Sequence, residues 1–119
     1  MRNHIEMAGV DLESGWIPLE GIPGLEVKYL ANDLDEAAGT GARTRFVRFA
    51  PGAKTPCAFL HTYWEEFYLL SGDLTSPMDS PEAQTMQAPR YSLRPPGTPH
   101  GPMSSAGGAI ALELQYFVK

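Results

Sequence analysis

Phe59-Leu60-His61-Thr62-Tyr63-Trp64-Glu65-Glu66-Phe67-Tyr68-Leu69-Leu70-Ser71-Gly72 is the stretch whose reading decides the fold. Residues two apart on a strand face the same side, so Cys57, Phe59 and His61 share one face. From Glu65 the strand resumes, with Glu65, Phe67, Leu69 and Ser71 on one side and Glu66, Tyr68 and Leu70 on the other. Thr62-Tyr63-Trp64 forms the corner, and Gly72-Asp73 reads as a tight hairpin turn that sends Leu74-Thr75 outward. An inward His61 and an inward Glu65 then converge. His100, on the turn Pro95-Pro96-Gly97-Thr98-Pro99-His100, supplies a third polar group from far along the chain.

The flanking sequence has the same short-strand character. Leu25-Glu26-Val27-Lys28-Tyr29-Leu30 and Arg43-Thr44-Arg45-Phe46-Val47-Arg48-Phe49 read as strands, and Pro51-Gly52 between Ala50 and Ala53 suits a type II turn. Residues 76–88 read as a loop or weak strand, and Tyr91-Ser92-Leu93-Arg94 as a short strand stopped by two prolines. Ala109 to Val118 is the clearest strand, with Ile110, Leu112, Leu114 and Tyr116 on one face; its Ala, Leu, Glu and Gln also suit a helix, but the alternation and turn-rich context favour strand. With 12 Gly and 11 Pro in 119 residues and few long periodic runs, the chain reads as one all-β domain, a sandwich or barrel. Residues 1–24 read as an N-terminal arm whose apolar side chains, Trp16, Ile17, Leu19 and Ile22, pack on the domain or on a second subunit.

A formal charge of −5 and the lack of any Lys/Arg run argue against nucleic acid as a partner. No apolar stretch has the length of a signal peptide or a membrane span, so a cytoplasmic location and no membrane partner are expected. The single cysteine, Cys57, excludes an internal disulfide and fits a reducing compartment.

Two imidazoles and one carboxylate leave coordination positions open, an arrangement that suits Fe(II) and also Mn or Zn. Taken singly, His61 is a packed or surface residue beside aromatics, Glu65 and Glu66 a solvated acidic pair, and His100 part of a turn; the joint pattern is what points to a metal. Phe59, Tyr63, Phe67 and Tyr116, with Trp64, read as walls of an apolar pocket or as plain core. Cys57 beside Phe59 reads as a buried inert thiol or as a donor near the metal. Arg48 and Arg94 on their strands are solvated by default; facing inward, either would orient a substrate carboxylate or enolate.

These motifs resemble the cupin superfamily. Glu65 followed by six residues and Gly72, with three residues back to His61, matches the first cupin motif, and Pro95-Pro96-Gly97-Thr98-Pro99-His100 matches the second. Phe59 stands where the first motif has its first histidine; a second register, with His61 first and Tyr63 second, leaves too short a spacer before Glu65. Pro89 and Ser104 replace a glycine and an asparagine of the second motif.

The resemblance spans about Leu25 to Val118, and Trp16 to Leu30 with Phe46 to Ala53 look most like the branch that holds an anti-sigma-factor cupin domain and small dioxygenases cleaving diketones and hydroxyketones. It implies a single double-stranded β-helix (jelly roll) over residues 25–119, a homodimer, and a divalent metal, Fe(II) first with Mn, Ni or Zn as alternatives, held by His61, Glu65 and His100. It further implies a small oxygenated substrate lying against Cys57, Phe59, Tyr63, Phe67 and Tyr116. Three functional readings follow: a dioxygenase, a small-molecule binding or sensor protein without turnover, and a metal-dependent isomerase or hydrolase.

Overall fold

Alternation and turn chemistry place seven strands in the chain. The computed structural model describes residues 2–118, and they run β1 (Ile17–Pro18), β2 (Leu25–Asn32), β3 (Ala42–Phe49), β4 (Trp64–Ser76), β5 (Gln84–Gln87), β6 (Arg90–Arg94) and β7 (Ala109–Tyr116). No helix forms among the described residues. All pairings are antiparallel: the order is β1-β2-β3-β7-β4-β5, and β6 also pairs with β4. The chain is all-β, as its pattern suggested, and has the jelly-roll form that the resemblance implied.

The turns behave as their residues dictate. Ala53 N–H donates to Ala50 O at 2.9 Å, closing a turn with Pro51 second and Gly52, at φ 83°, third. Residues 17–24 belong to the barrel: β1 pairs with β2, and Leu19 and Ile22 pack on the core. Trp16 lies under the Arg48 guanidinium, 4.3 Å from its ring centre.

One expectation is corrected. Gly72-Asp73 makes no hairpin; β4 runs through it to Ser76. Leu70 is an extra residue in the β4–β7 ladder, since Leu69 faces Ala111 and Ser71 faces Ile110. This bulge, followed by Gly72 at φ 86°, bends β4 so that its first half pairs with β6 and β7 and its end with β5. Glycine is required because a Cβ there would lie 1.9 Å from Gly108 O. On β7, Ile110, Leu112, Leu114 and Tyr116 do share a face, and the register decides that it is the outer one. Ile110, Leu112, Leu114 and Tyr116 are only half-buried, whereas Ala109, Ala111, Glu113 and Gln115 are the buried set. The inner face therefore carries polar side chains at one end.

Leu25, Val27, Val47, Phe49, Leu69 and Ala111 form the apolar end of the core. The outer face of β4 and β6 exposes Tyr68, Leu70, Tyr91 and Leu93. Gly72→Ala is expected to destabilise the fold by roughly 3 kcal/mol or more, from left-handed strain and overpacking together. Gly97→Ala, where φ is 79° and an added Cβ would meet nothing within 4 Å beyond its chain neighbours, is expected to cost only about 1–2 kcal/mol. Urea unfolding of the two variants checks the difference.

Candidate metal centre

Strand register assembles the site. On β4, Glu65 faces Arg94 of β6 on one side and Gln115 of β7 on the other; Gln115 in turn faces Arg43 of β3. The four side chains hydrogen-bond in series. Arg43 Nε donates to Gln115 Oε1 at 2.6 Å, Gln115 Nε2 donates to Glu65 Oε2 at 2.6 Å, and Arg94 Nη1 donates to Glu65 Oε1 at 2.6 Å. One row deeper, Arg45 Nε donates to Glu113 Oε1 at 2.7 Å, with side-chain exposures of 11% and 10%.

His61 and His100 reach Glu65 from loops. Phe59 and His100 exchange both backbone hydrogen bonds, at 2.7 and 3.0 Å, and Gly97 N–H donates to His61 O at 2.9 Å, which ties the proline turn to the His61 segment. His61 Nε2 lies 3.6 Å from Glu65 Oε2, and His100 Nε2 lies 3.5 Å from Glu65 Oε1. One donor atom from each of the three residues lies within 4.8 Å of the others. Tyr63 stacks on the His61 ring at 4.6 Å and holds it.

Burial pushes the Glu65 carboxyl up, but the Gln115 hydrogen bond and the charges of Arg94 and both histidines outweigh it, so the group is held below the usual carboxylate range. Burial lowers both imidazoles; Arg94 adds to this at His100, and at His61 burial outweighs the pull of Glu65. Burial, then the charge of Glu65, pushes the Glu113 carboxyl up against the pull of Arg45. The centre thus combines an ionised carboxylate with imidazoles that favour the neutral, ligating form.

These residues fit a metal ion. The donor set is that of a two-histidine, one-carboxylate site. Each Glu65 oxygen accepts one hydrogen bond and keeps a second lone pair. His100 Nδ1 is buried without a hydrogen-bond partner. Phe59, in the place of a fourth ligand, packs 6.0 Å from the His61 ring and 5.6 Å from that of His100.

The triad lies in a small, partly open cavity of about 80 Å³ walled by Phe59, Phe67 and Met103. Phe59 and Phe67 are wall residues; three other pocket expectations are corrected. Cys57 is exposed, because the chain bends at Pro56-Cys57 and breaks the alternation that would have turned it inward. Tyr116 has the outward parity of β7, where its hydroxyl donates to Glu66 Oε2 at 2.9 Å. Tyr63 is buried against His61 and is no part of the wall. Arg94 does face inward, whereas Arg48 faces out and pairs with Glu26 at 2.7 Å. Sequence reasoning missed Arg45, Glu113 and Gln115; the signal was that their strands carry polar residues on the parity shared with Val47 and Ala111.

No protein-family model matches this chain, and none of the curated proteins does. Solved structures do. An RmlC-like cupin from Shewanella frigidimarina superposes with a TM-score of 0.69 at 15% identity, over 99% of this chain and 95% of its own. This chain has the cupin fold. The cupin barrel also matches the polyketide cyclase RemF from Streptomyces resistomycificus, with a TM-score of 0.68 at 18% identity, over 93% of this chain and 80% of that one. An acetylacetone dioxygenase from Acinetobacter johnsonii matches at 0.64 and 16%, over 98% and 83%.

Arg45→Met strands the Glu113 carboxylate inside the cupin core and is expected to cost roughly 3–5 kcal/mol. The double variant Arg45→Met/Glu113→Leu is expected to recover most of that loss, as read by urea unfolding.

Proposed function

We propose that this cupin is a metal-dependent dioxygenase of a small oxygenated substrate of the diketone or hydroxyketone kind. His61, Glu65 and His100 hold one divalent ion, Fe(II) first, with Mn, Ni or Zn as alternatives. The observation that carries the reading is the meeting of two imidazoles and one ionised carboxylate at a single point of an apolar-walled cavity. The fold likeness to an acetylacetone dioxygenase supports the choice of chemistry by analogy. A bound ion supplies Lewis acidity and open coordination positions for a substrate oxygen.

The chain's own residues do the rest. Gln115 and Arg94 fix both oxygens of Glu65, so the carboxylate needs no reorganisation to serve as a ligand. Phe59 and Phe67 exclude water around the substrate. Arg94 places fixed positive charge beside the centre, where it stabilises the negative charge of an enolised substrate.

A second reading rests on its own observation. Arg94 already neutralises Glu65, and Phe59 removes a fourth ligand, which suits a binding or sensor protein without turnover. Elemental analysis of protein purified without chelator separates the two. One ion per chain, lost in His100→Ala and followed by oxygen uptake with acetylacetone or hydroxyketones, is expected for the enzyme. Metal content with no oxygen uptake would move the reading to an isomerase or hydrolase, and absence of metal would leave the binding protein.

The outer face of β4, β6 and β7 suits a second copy of the chain. Tyr68, Leu70, Tyr91 and Leu93 expose on the order of 400 Å² of side chain, within the range of a functional patch. The half-buried row of β7 extends it towards the ~800 Å² per partner of a stable interface. Light scattering is expected to give twice the chain mass of 13.0 kDa, and Tyr68→Ser/Leu93→Ser the monomer.

A further inference from the structure

β6 reverses the usual polarity of a strand. Its inward parity reads Arg90, Ser92, Arg94, in register with the buried Leu69, Phe67 and Glu65 of β4, while Tyr91 and Leu93 face solvent. The inward residues line a second cavity, of about 50 Å³ and partly open, which shares Phe67, Arg94 and Met103 with the wall of the first. Its remaining polar lining is Ser76, Ser92 and Arg90, and no acidic side chain lies on it among the described residues.

Arg94 is common to both cavities. Its Nη1 is engaged by Glu65 at 2.6 Å, and Nε and Nη2 have no partner among the described residues. Neither atom is sealed from solvent, so both stay available to a ligand. Arg90 Nε makes only a long bond, 3.3 Å, to Gln87 O. Arg90 and Arg94 lie one inward position either side of Ser92 on β6, and all three side chains line this cavity. Glu65 holds Arg94 through Nη1 alone, and no acidic side chain on this cavity offsets Arg90, so Nε and Nη2 of Arg94, the Arg90 guanidinium and the Ser92 hydroxyl remain as donors suited to a carboxylate.

We infer that this second cavity is a carboxylate subsite, formed by Arg90, Ser92 and Arg94. The substrate is then a keto acid, whose carboxylate rests on these residues while its ketone oxygen faces His61, Glu65 and His100. The inference deepens the functional reading and rests on it for the second half of the statement only. Inward charge on an edge strand also guards against edge-to-edge association. That role needs no ligand and predicts no preference for an acid over its ester.

The test uses the metal-free 119-residue chain, titrated with acetoacetate and levulinate and with their methyl esters, and followed by amide chemical shifts. The acids are expected to bind and to shift residues of β6. Arg90→Gln, at an exposed position, and Arg94→Lys, which keeps charge but loses the planar fork, are expected to weaken acid binding about tenfold or more. Ester binding is expected to stay weak and unchanged by Arg90→Gln. Equal binding of acids and esters, an Arg90→Gln variant that binds the acids as well as the parent does, or tighter binding of inorganic phosphate than of acetoacetate would each overturn the subsite. Acid binding in a protein that takes up no metal would sink the metal reading and leave the subsite standing. Metal uptake without acid preference would do the reverse.

Discussion

A relay of hydrogen bonds crosses the inside of the barrel, from Arg43 through Gln115 and Glu65 to Arg94, and the functional end of the molecule depends on it. It is a consequence of register. Four antiparallel strands place these side chains opposite one another, and each polar atom finds its partner in the neighbouring strand. Removing a carboxylate from water is costly unless its lone pairs are engaged. Here two donors engage Glu65, and the Gln115 amide is oriented by Arg43. The result is an ionised acid, almost fully buried, at a defined place.

The barrel is consequently divided along its length. One end is packed by Leu25, Val27, Val47, Phe49 and Leu69 and supplies hydrophobic stabilisation. The other end holds paired charge and the two imidazoles and supplies chemistry. The bulge at Leu70 and the left-handed Gly72 lie on the strand that joins the two ends, and they let one strand serve both sheets. Polar residues on the inner parity of β3, β4, β6 and β7 leave the outer parity comparatively apolar, which is why Tyr68, Leu70, Tyr91 and Leu93 are exposed. The cavity and the exposed face are thus two consequences of one pattern.

Alternation and turn residues were enough to read β2, β3, β6 and β7 as strands and to recognise the turns at Pro51-Gly52 and Pro95-Pro96-Gly97, because these features depend on local backbone preferences. His61, Glu65 and His100 were also legible as a set, since their spacing and flanking residues follow the two motifs that the chain resembles. Gly72-Asp73 misled because a glycine at positive φ serves a bulge as well as a hairpin, and the difference lies in the partner strand. Cys57 and Tyr116 were misplaced because parity was carried across a bend in the first case and assigned without a partner strand in the second.

By itself, the sequence determined an all-β chain, its turns and the residue types able to hold a metal, since each is a matter of local conformation and side-chain chemistry. Only the tertiary structure decided which parity of β7 is buried, that Arg94 points in while Arg48 points out, and that Gln115 and Arg43 complete the support of Glu65. The physical reason is that facing and pairing are set by cross-strand register between segments far apart in the chain. No single segment carries the information about what lies opposite it.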